Sequence, residues 1–153
     1  METMNVRGLV LAAHAGVREL ADEVDELAVR TLREPKVARR WLERRLIDLL
    51  DLVAAHMDLE DRLLRPTLRD IDAWGEARVA RMDKDHLQQR LTIRQLNRAV
   101  TECGGADIEV GFLARVARRF IGELRQDMLD EERDLLSPEL FREDLVAIDQ
   151  DAG

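Results

Sequence analysis

The sequence predicts an all-α protein, an antiparallel up-down four-helix bundle made of two duplicated helical hairpins and a short C-terminal tail. The composition is helix-forming, since 46% of the 153 residues are apolar, 37% are charged, and only 8 are glycine and 3 proline. Apolar residues recur at helical spacing through four long segments. Parts of the chain also repeat 72 positions apart. The length suits one domain spanning residues 1–153.

The first hairpin consists of helices predicted from about Asn5 to Leu32 and from about Lys36 to Leu64. The stripe on the first helix that we expect to face inward holds His14 together with Val10, Val17, Ala21, Val24 and Ala28. The second helix is expected to face inward through Leu46, Leu49, Leu52, Val53, Leu59 and Leu63. Pro66 is expected to close this helix, because proline lacks a backbone donor and disfavours helix at the residue before it.

The second hairpin follows a loop predicted around Asp70 to Gly75. Its first helix is predicted from about Glu76 to Thr101, and its inward face is Val79, Met82, Ile93, Leu96 and Val100. Gly104-Gly105 breaks the chain, and Asp107 is the expected N-cap of the last helix. That helix should stop before Pro138 and face inward through Ile108, Phe112, Val116, Phe120, Leu124, Met128 and Leu135. An acidic tail covers Leu140 to Ile148.

The internal repeat relates HMDLEDRLLRP, residues 56–66, to MLDEERDLLSP, residues 128–138. The same spacing of 72 positions relates Glu60 to Glu132 and His14 to His86. His56, four residues before Glu60, is matched with Met128, so one copy lacks this histidine. Two equivalent hairpins facing each other would bring corresponding residues close to a shared axis.

The repeat predicts a metal site in the centre of the bundle, with His14, His56, Glu60, His86 and Glu132 as its ligands. Residues four apart on a helix share one face, so His56 and Glu60 point the same way. Imidazole and carboxylate donors suit iron, manganese or zinc. Ionised carboxylates in a dry core cost several kcal/mol each, and a divalent cation would offset that cost.

Without a cation, the two glutamates would need another way to be buried. The alternatives are protonation, pairing with Arg18 or Arg90, or access of water to the site. Arg18 and Arg90 each lie one turn after a histidine, and salt bridges to acidic residues are their expected role.

Several classes of protein are excluded or disfavoured. A net charge of −8 argues against nucleic-acid binding. No apolar run approaches the roughly 18 residues of a membrane span, and no signal-peptide pattern is present, so we expect a cytoplasmic protein without membrane association. The single cysteine, Cys103, rules out an internal disulfide, and no base lies near it in the sequence. No catalytic residue is assigned.

These residues resemble the hemerythrin-like, or HHE cation-binding, domain family. The resemblance rests on AAHAGVREL around His14, on HMDLEDRLLRP, on DHLQQRL around His86, and on DEERDLLSP in the last helix. It implies a four-helix bundle with a non-haem di-iron centre. His14, His56 and His86 would then be terminal ligands, and Glu60 and Glu132 bridging carboxylates. The family has a histidine where the repeat places Met128.

Three outcomes at the missing histidine follow. Water, Asp127 or Glu131 fills the position, or one metal binds on the side of His14 and His56, or the site is vestigial and Met128 is packing.

The resemblance implies a non-haem iron protein that binds or processes dioxygen, nitric oxide or peroxide. The alternative is a metal-free or mononuclear interaction module with a vestigial site, acting for instance as a homodimer. An oxygen-activating biosynthetic enzyme is a third class on the same fold.

Overall fold

The computed structural model describes residues 5–141, which form helices joined by short turns and contain no strand. The helices are α1 (Val6–Arg33), α2 (Pro35–Leu59), α3 (Arg65–Ile71), α4 (Gly75–Glu102) and α5 (Asp107–Asp134), with a π-helical turn, Glu60–Leu64, between α2 and α3. The π turn joins α2 and α3 into one continuous rod. Most of the predicted acidic tail lies outside the described residues. None of the described helices combines the length and apolar character needed to cross a membrane.

The rods are antiparallel, as the order of the ion pairs between them shows. Along α1, His14 contacts Glu132 and Asp25 contacts Arg118, so the partners on α5 run in the opposite direction. Pairs between the α2–α3 rod and α4 show the same reversal: Asp58–Arg90 and Arg65–Asp83. Only Glu34 separates α1 from α2, which forces a hairpin. The predicted all-α four-helix bundle is therefore confirmed.

The core differs from the predicted faces at three positions, because Leu52, Ile108 and Phe112 are exposed. A stripe of residues four apart drifts about 40° per step around an α-helix, since each residue turns about 100°. The predicted stripe on α5 therefore leaves the core toward its first turn, where Ile108 is 78% exposed. The residues of this half of α5 that are buried instead are Val110, Leu113, Ala114 and Ala117.

The prediction that Pro66 closes the second helix is wrong. Pro66 lies in the first turn of α3, and the helical rod continues to Ile71. The preceding π turn is wider than an α turn, and the Arg65 N–H donates to the Glu60 carbonyl five residues back. This wider turn accommodates a proline ring that an α-helix interior would not.

The N-cap prediction at Asp107 is displaced by one residue. Ala106 is the N-cap, and Asp107 is the first residue of α5. Its carboxylate then lies in the first helical turn, where negative charge interacts favourably with the helix dipole.

Candidate metal centre

Side chains from three rods converge near one end of the bundle. His14 comes from α1, His56 from the last turn of α2, Glu60 from the π turn, and His86 from α4. All four are buried, with His14 and Glu60 at 0% and 1% exposure. One donor atom from each of His14, His56, Glu60 and Glu131 lies within 4.8 Å of the others. The four residues named first are among the five predicted ligands, and they do come together.

The Glu60 carboxylate lies at the centre of this cluster. Its Oε1 contacts His56 Nε2 and lies 3.9 Å from His14 Nε2. Its Oε2 lies 3.4 Å from Nε2 of His86. Each carboxylate oxygen thus faces different imidazoles, which is the arrangement that a carboxylate shared between two cations requires.

The structure places Glu131, and not Glu132, on the inner side of His14. Glu131 Oε1 lies 3.0 Å from His14 Nε2, the ring nitrogen that also faces Glu60. Glu132 lies on the outer side of the ring, where it accepts a hydrogen bond of 2.8 Å from His14 Nδ1. The Arg18 guanidinium donates to the same carboxylate at 2.7 Å. Glu132 therefore contacts a candidate ligand but does not face the centre.

The second hairpin shows the same arrangement around His86. His86 Nδ1 donates to Asp61 Oδ1 at 2.8 Å, and Arg90 donates to Asp61 Oδ2 at 2.7 Å. Asp61 therefore corresponds to Glu132, and Glu60 corresponds to Glu131. Both correspondences are 71 positions apart.

The two copies of the repeat differ by one inserted residue. The acidic pair Glu60-Asp61 matches Glu131-Glu132 at a spacing of 71, whereas the leucine pairs that follow match at 72. The second copy has two residues, Arg133 and Asp134, between its acidic pair and its leucine pair, where the first copy has only Arg62. A single spacing of 72, anchored on the leucines and the proline, therefore displaces by one residue the matches of His56 and Glu60, which precede the insertion in the same helical segment.

At the spacing of 71, the residue equivalent to His56 is Asp127. Asp127 is half-buried and accepts a hydrogen bond of 3.0 Å from Gln89 Nε2 on α4. Met128 matches Met57, and both methionines pack in the main apolar core. The sequence signals for this alignment are the adjacent acidic pairs and the two methionines.

Burial and close pairing shift the pKa values of the central groups in opposite directions. Burial would raise the pKa of the Glu60 carboxyl, but the close imidazoles of His14, His56 and His86 outweigh it and hold that pKa well below its usual range. Burial would lower the pKa of His14, but hydrogen bonds to Glu131 and Glu60 raise it to about 10. Burial raises the pKa of Glu131 to about 7. Imidazolium charge therefore balances the ionised Glu60.

Three atoms around Glu60 identify the cluster as a fit for a cation. Nε2 of His56, Nε2 of His86 and Oε2 of Glu60 are buried and have no hydrogen-bond partner within residues 5–141. Buried polar atoms without partners are rare, and each calls for an explanation such as an ion. These nitrogen and oxygen donors are those that iron, manganese and zinc accept.

A family model described as the Hemerythrin HHE cation binding domain matches residues 6–138. The chain belongs to the hemerythrin HHE cation-binding family. The family resemblance carried by its histidine and acidic motifs is thereby confirmed. Comparisons with curated proteins and with solved structures gave no match. This hemerythrin HHE domain carries a candidate metal site whose inner acidic residue on α5 is Glu131.

Proposed function

We propose that this hemerythrin HHE domain is a non-haem iron protein that binds or processes dioxygen, nitric oxide or peroxide. The observation that carries the proposal is the set of unpartnered, buried donor atoms of His56, His86 and Glu60. An interaction module without a metal would leave these buried polar atoms without a hydrogen bond, at a cost of about 1–3 kcal/mol for each. A cation bound among them removes that cost.

The donors divide into two unequal groups on the two sides of Glu60. His14, His56 and Glu131 would hold a cation with Glu60 Oε1, since their donor atoms lie within 4.8 Å of one another. His86 and Glu60 Oε2 form the other side. We therefore expect the first position to fill before the second.

Asp127 is the α5 side chain that would complete the second position. Its hydrogen bond to Gln89 holds it against α4, one turn from His86. Asp127 supplies an oxygen donor, whereas a histidine at this position, equivalent to His56, would supply a nitrogen donor. Carboxylate is a harder donor than imidazole, so the two positions would differ in preferred metal and in affinity.

A bound iron ion would supply redox-active, Lewis-acid chemistry toward a small ligand. The protein chain contributes the binding groups and a dry environment. Positions one turn from the ligands, or beside them, are apolar and buried: Val10, Met57, Leu64 and Met82. This apolar surround favours a small uncharged ligand such as dioxygen or nitric oxide over a large polar substrate.

Elemental analysis of the protein purified without chelators from iron-rich medium tests the proposal. We expect one to two iron atoms per chain, and a new electron paramagnetic resonance signal when nitric oxide is added to the ferrous protein under anaerobic conditions. Zinc or manganese in place of iron would retain a cation site but overturn the iron assignment. Absence of any metal above background would overturn the proposal and favour the interaction module.

A mononuclear centre is the second candidate, and Asp127 in place of a histidine is the observation that favours it. A content of one iron atom per chain does not identify a mononuclear centre, because incomplete loading of a dinuclear centre gives the same iron-to-chain ratio. Titration of the metal-free protein with ferrous iron separates the cases, since a mononuclear site saturates at one equivalent and a dinuclear site at two.

A further inference from the structure

Two carboxylates accept hydrogen bonds from the Nδ1 atoms of two of the three histidines, on the side of each ring opposite the Nε2 that faces Glu60. Glu132 accepts from His14 Nδ1 at 2.8 Å, and Asp61 accepts from His86 Nδ1 at 2.8 Å. Each carboxylate is itself held by an arginine one turn after the histidine, at 2.7 Å in both cases: Arg18 and Arg90. The two groups repeat the same histidine, carboxylate and arginine order.

We propose that Asp61 and Glu132 are positioning residues that orient His86 and His14 for cation binding. A hydrogen bond donated by Nδ1 keeps a proton on that nitrogen and leaves Nε2 as the ring atom that can bind a cation, which would displace any proton held there. In both rings Nε2 is the nitrogen that faces Glu60, at 3.9 Å from His14 and 3.4 Å from His86. The inference rests on the proposed cation binding at Glu60.

The two contacts cross between the hairpins in a reciprocal way. Asp61 of the first hairpin holds His86 of the second, and Glu132 of the second holds His14 of the first. Neither imidazole is therefore oriented by its own hairpin alone. Correct ligand geometry depends on docking of the two hairpins, and a bound cation would stabilise that docking in return.

His56 provides the contrast within the same site. Its Nδ1 is buried and has no hydrogen-bond partner in the described part of the chain. The His56 ring is therefore oriented by packing and by Glu60 alone. We expect its orientation to be unaffected by changes at Asp61 or Glu132.

Zinc affinity of D61N and E132Q, measured by competition with a chromophoric chelator, tests the proposal. We expect each variant to bind Zn²⁺ 10- to 100-fold more weakly than the wild type, the loss typical of removing a carboxylate behind a ligating histidine. D25N is the matched control, because Asp25 also joins α1 to α5 through Arg118 and is 24% exposed, against 21% for Asp61 and 24% for Glu132. We expect D25N to bind zinc within threefold of the wild type.

Imidazole ¹⁵N spectra of the zinc-loaded protein provide a readout that a merely structural role would not move. In the wild type we expect protonated Nδ1 in both His14 and His86. D61N should alter the His86 signals alone, and E132Q the His14 signals alone. If a variant does not fold, the wild-type spectrum still decides, since an unprotonated or metal-bound Nδ1 in either ring would overturn the proposal.

The outcomes separate this inference from the proposed function. Zinc binding by the wild type with equal affinities for D61N, E132Q and D25N overturns the positioning role and leaves the cation site intact. Failure of the wild type to bind Zn²⁺ or ferrous iron overturns the cation site, and the positioning role falls with it.

Discussion

His56 of α2 and Asp127 of α5 occupy equivalent places in the two hairpins, each four residues before the glutamate that faces the centre of the site. The equivalence follows from the contacts, because Asp61 accepts from His86 Nδ1 and Glu132 from His14 Nδ1, and each lies five residues after His56 or Asp127. The second hairpin therefore has a carboxylate where the first has an imidazole. The asymmetry of the candidate metal site originates at this one position.

Restoring symmetry at Asp127 should strengthen the weaker metal position. We expect D127H to bind a second ferrous ion at least tenfold more tightly than the wild type, because it adds a nitrogen ligand beside His86. Titration of the metal-free protein with ferrous iron under anaerobic conditions gives the stoichiometry and both affinities. A second-site affinity equal to that of the wild type would contradict the equivalence of Asp127 and His56.

M128H is the control for this substitution, since it places a histidine one residue further along α5. Met128 is 3% exposed in the main apolar core, and a histidine there would be buried without a polar partner. We expect M128H to lower the free energy of unfolding by about 1–3 kcal/mol and to add no metal. A gain of metal in M128H but not in D127H would instead support the spacing of 72.

The fold could be predicted from the sequence because helical periodicity is a local signal. The stripe from Val10 to Ala28 on α1 is buried as predicted, and the boundaries of this helix agree within one residue. The passage of the helical rod through Pro66 could not be predicted, because it depends on a π turn that helical periodicity does not reveal. Ile108 and Phe112 are exposed although the sequence predicts them to face inward, because a stripe of strict four-residue steps rotates away from the core.

The candidate site could be predicted only as far as the repeat was aligned correctly. His14, His56, Glu60 and His86 come together as expected. From the sequence, Glu131 is only one of three alternatives at the missing histidine and Glu132 is the expected ligand, because the leucine pairs and Pro138 set the alignment and the inserted residue lies between them and the acidic pair. The positioning contacts of Asp61 and Glu132 depend on how the hairpins dock, and one hairpin's sequence does not contain that information.

The π turn should be needed for the site more than for the fold. Deletion of Arg62, an exposed residue of this turn, should convert it to an α turn and leave the flanking helices packed as before. It would also shift Glu60 and Asp61 relative to α3. We expect a cooperative thermal transition by circular dichroism and zinc affinity at least tenfold below that of the wild type.

Deletion of Arg44 is the control, because Arg44 is an exposed residue within the regular part of α2. Its removal rotates one half of the helix by about 100° relative to the other and displaces the buried leucines on one side. We expect this variant to lose its cooperative transition. Equal stability of the two deletion variants would contradict the assigned role of the π turn.

Gly75 fixes the approach of α4 to α3 and so the position of His86. A Cβ at Gly75 would overlap the backbone carbonyl oxygens of Leu68 and Arg69, which no side-chain rotation relieves. We expect G75A to lower the free energy of unfolding in urea by about 1–3 kcal/mol. G16A is the matched control, because nothing lies within 4 Å of the added carbon on α1, and alanine there should stabilise the helix by about 0.5–1 kcal/mol. A destabilised G16A or an unchanged G75A would contradict these assignments.

Neutralising Glu60 should abolish metal retention while leaving the bundle folded. E60Q keeps the size of the side chain but removes the charge that balances the surrounding imidazoles, and its amide N–H₂ would face one of them in place of an acceptor oxygen. We expect less than a tenth of the wild-type metal content by elemental analysis, with helical circular dichroism retained. E43Q is the control. Glu43 is a carboxylate of α2 that lies outside the candidate site, and its Oε1 is 2.8 Å from Arg39 Nε. Because both variants remove one negative charge from the same α2–α3 rod, wild-type metal content in E60Q, or an equal loss in E43Q, would show that the central carboxylate does not hold the cation.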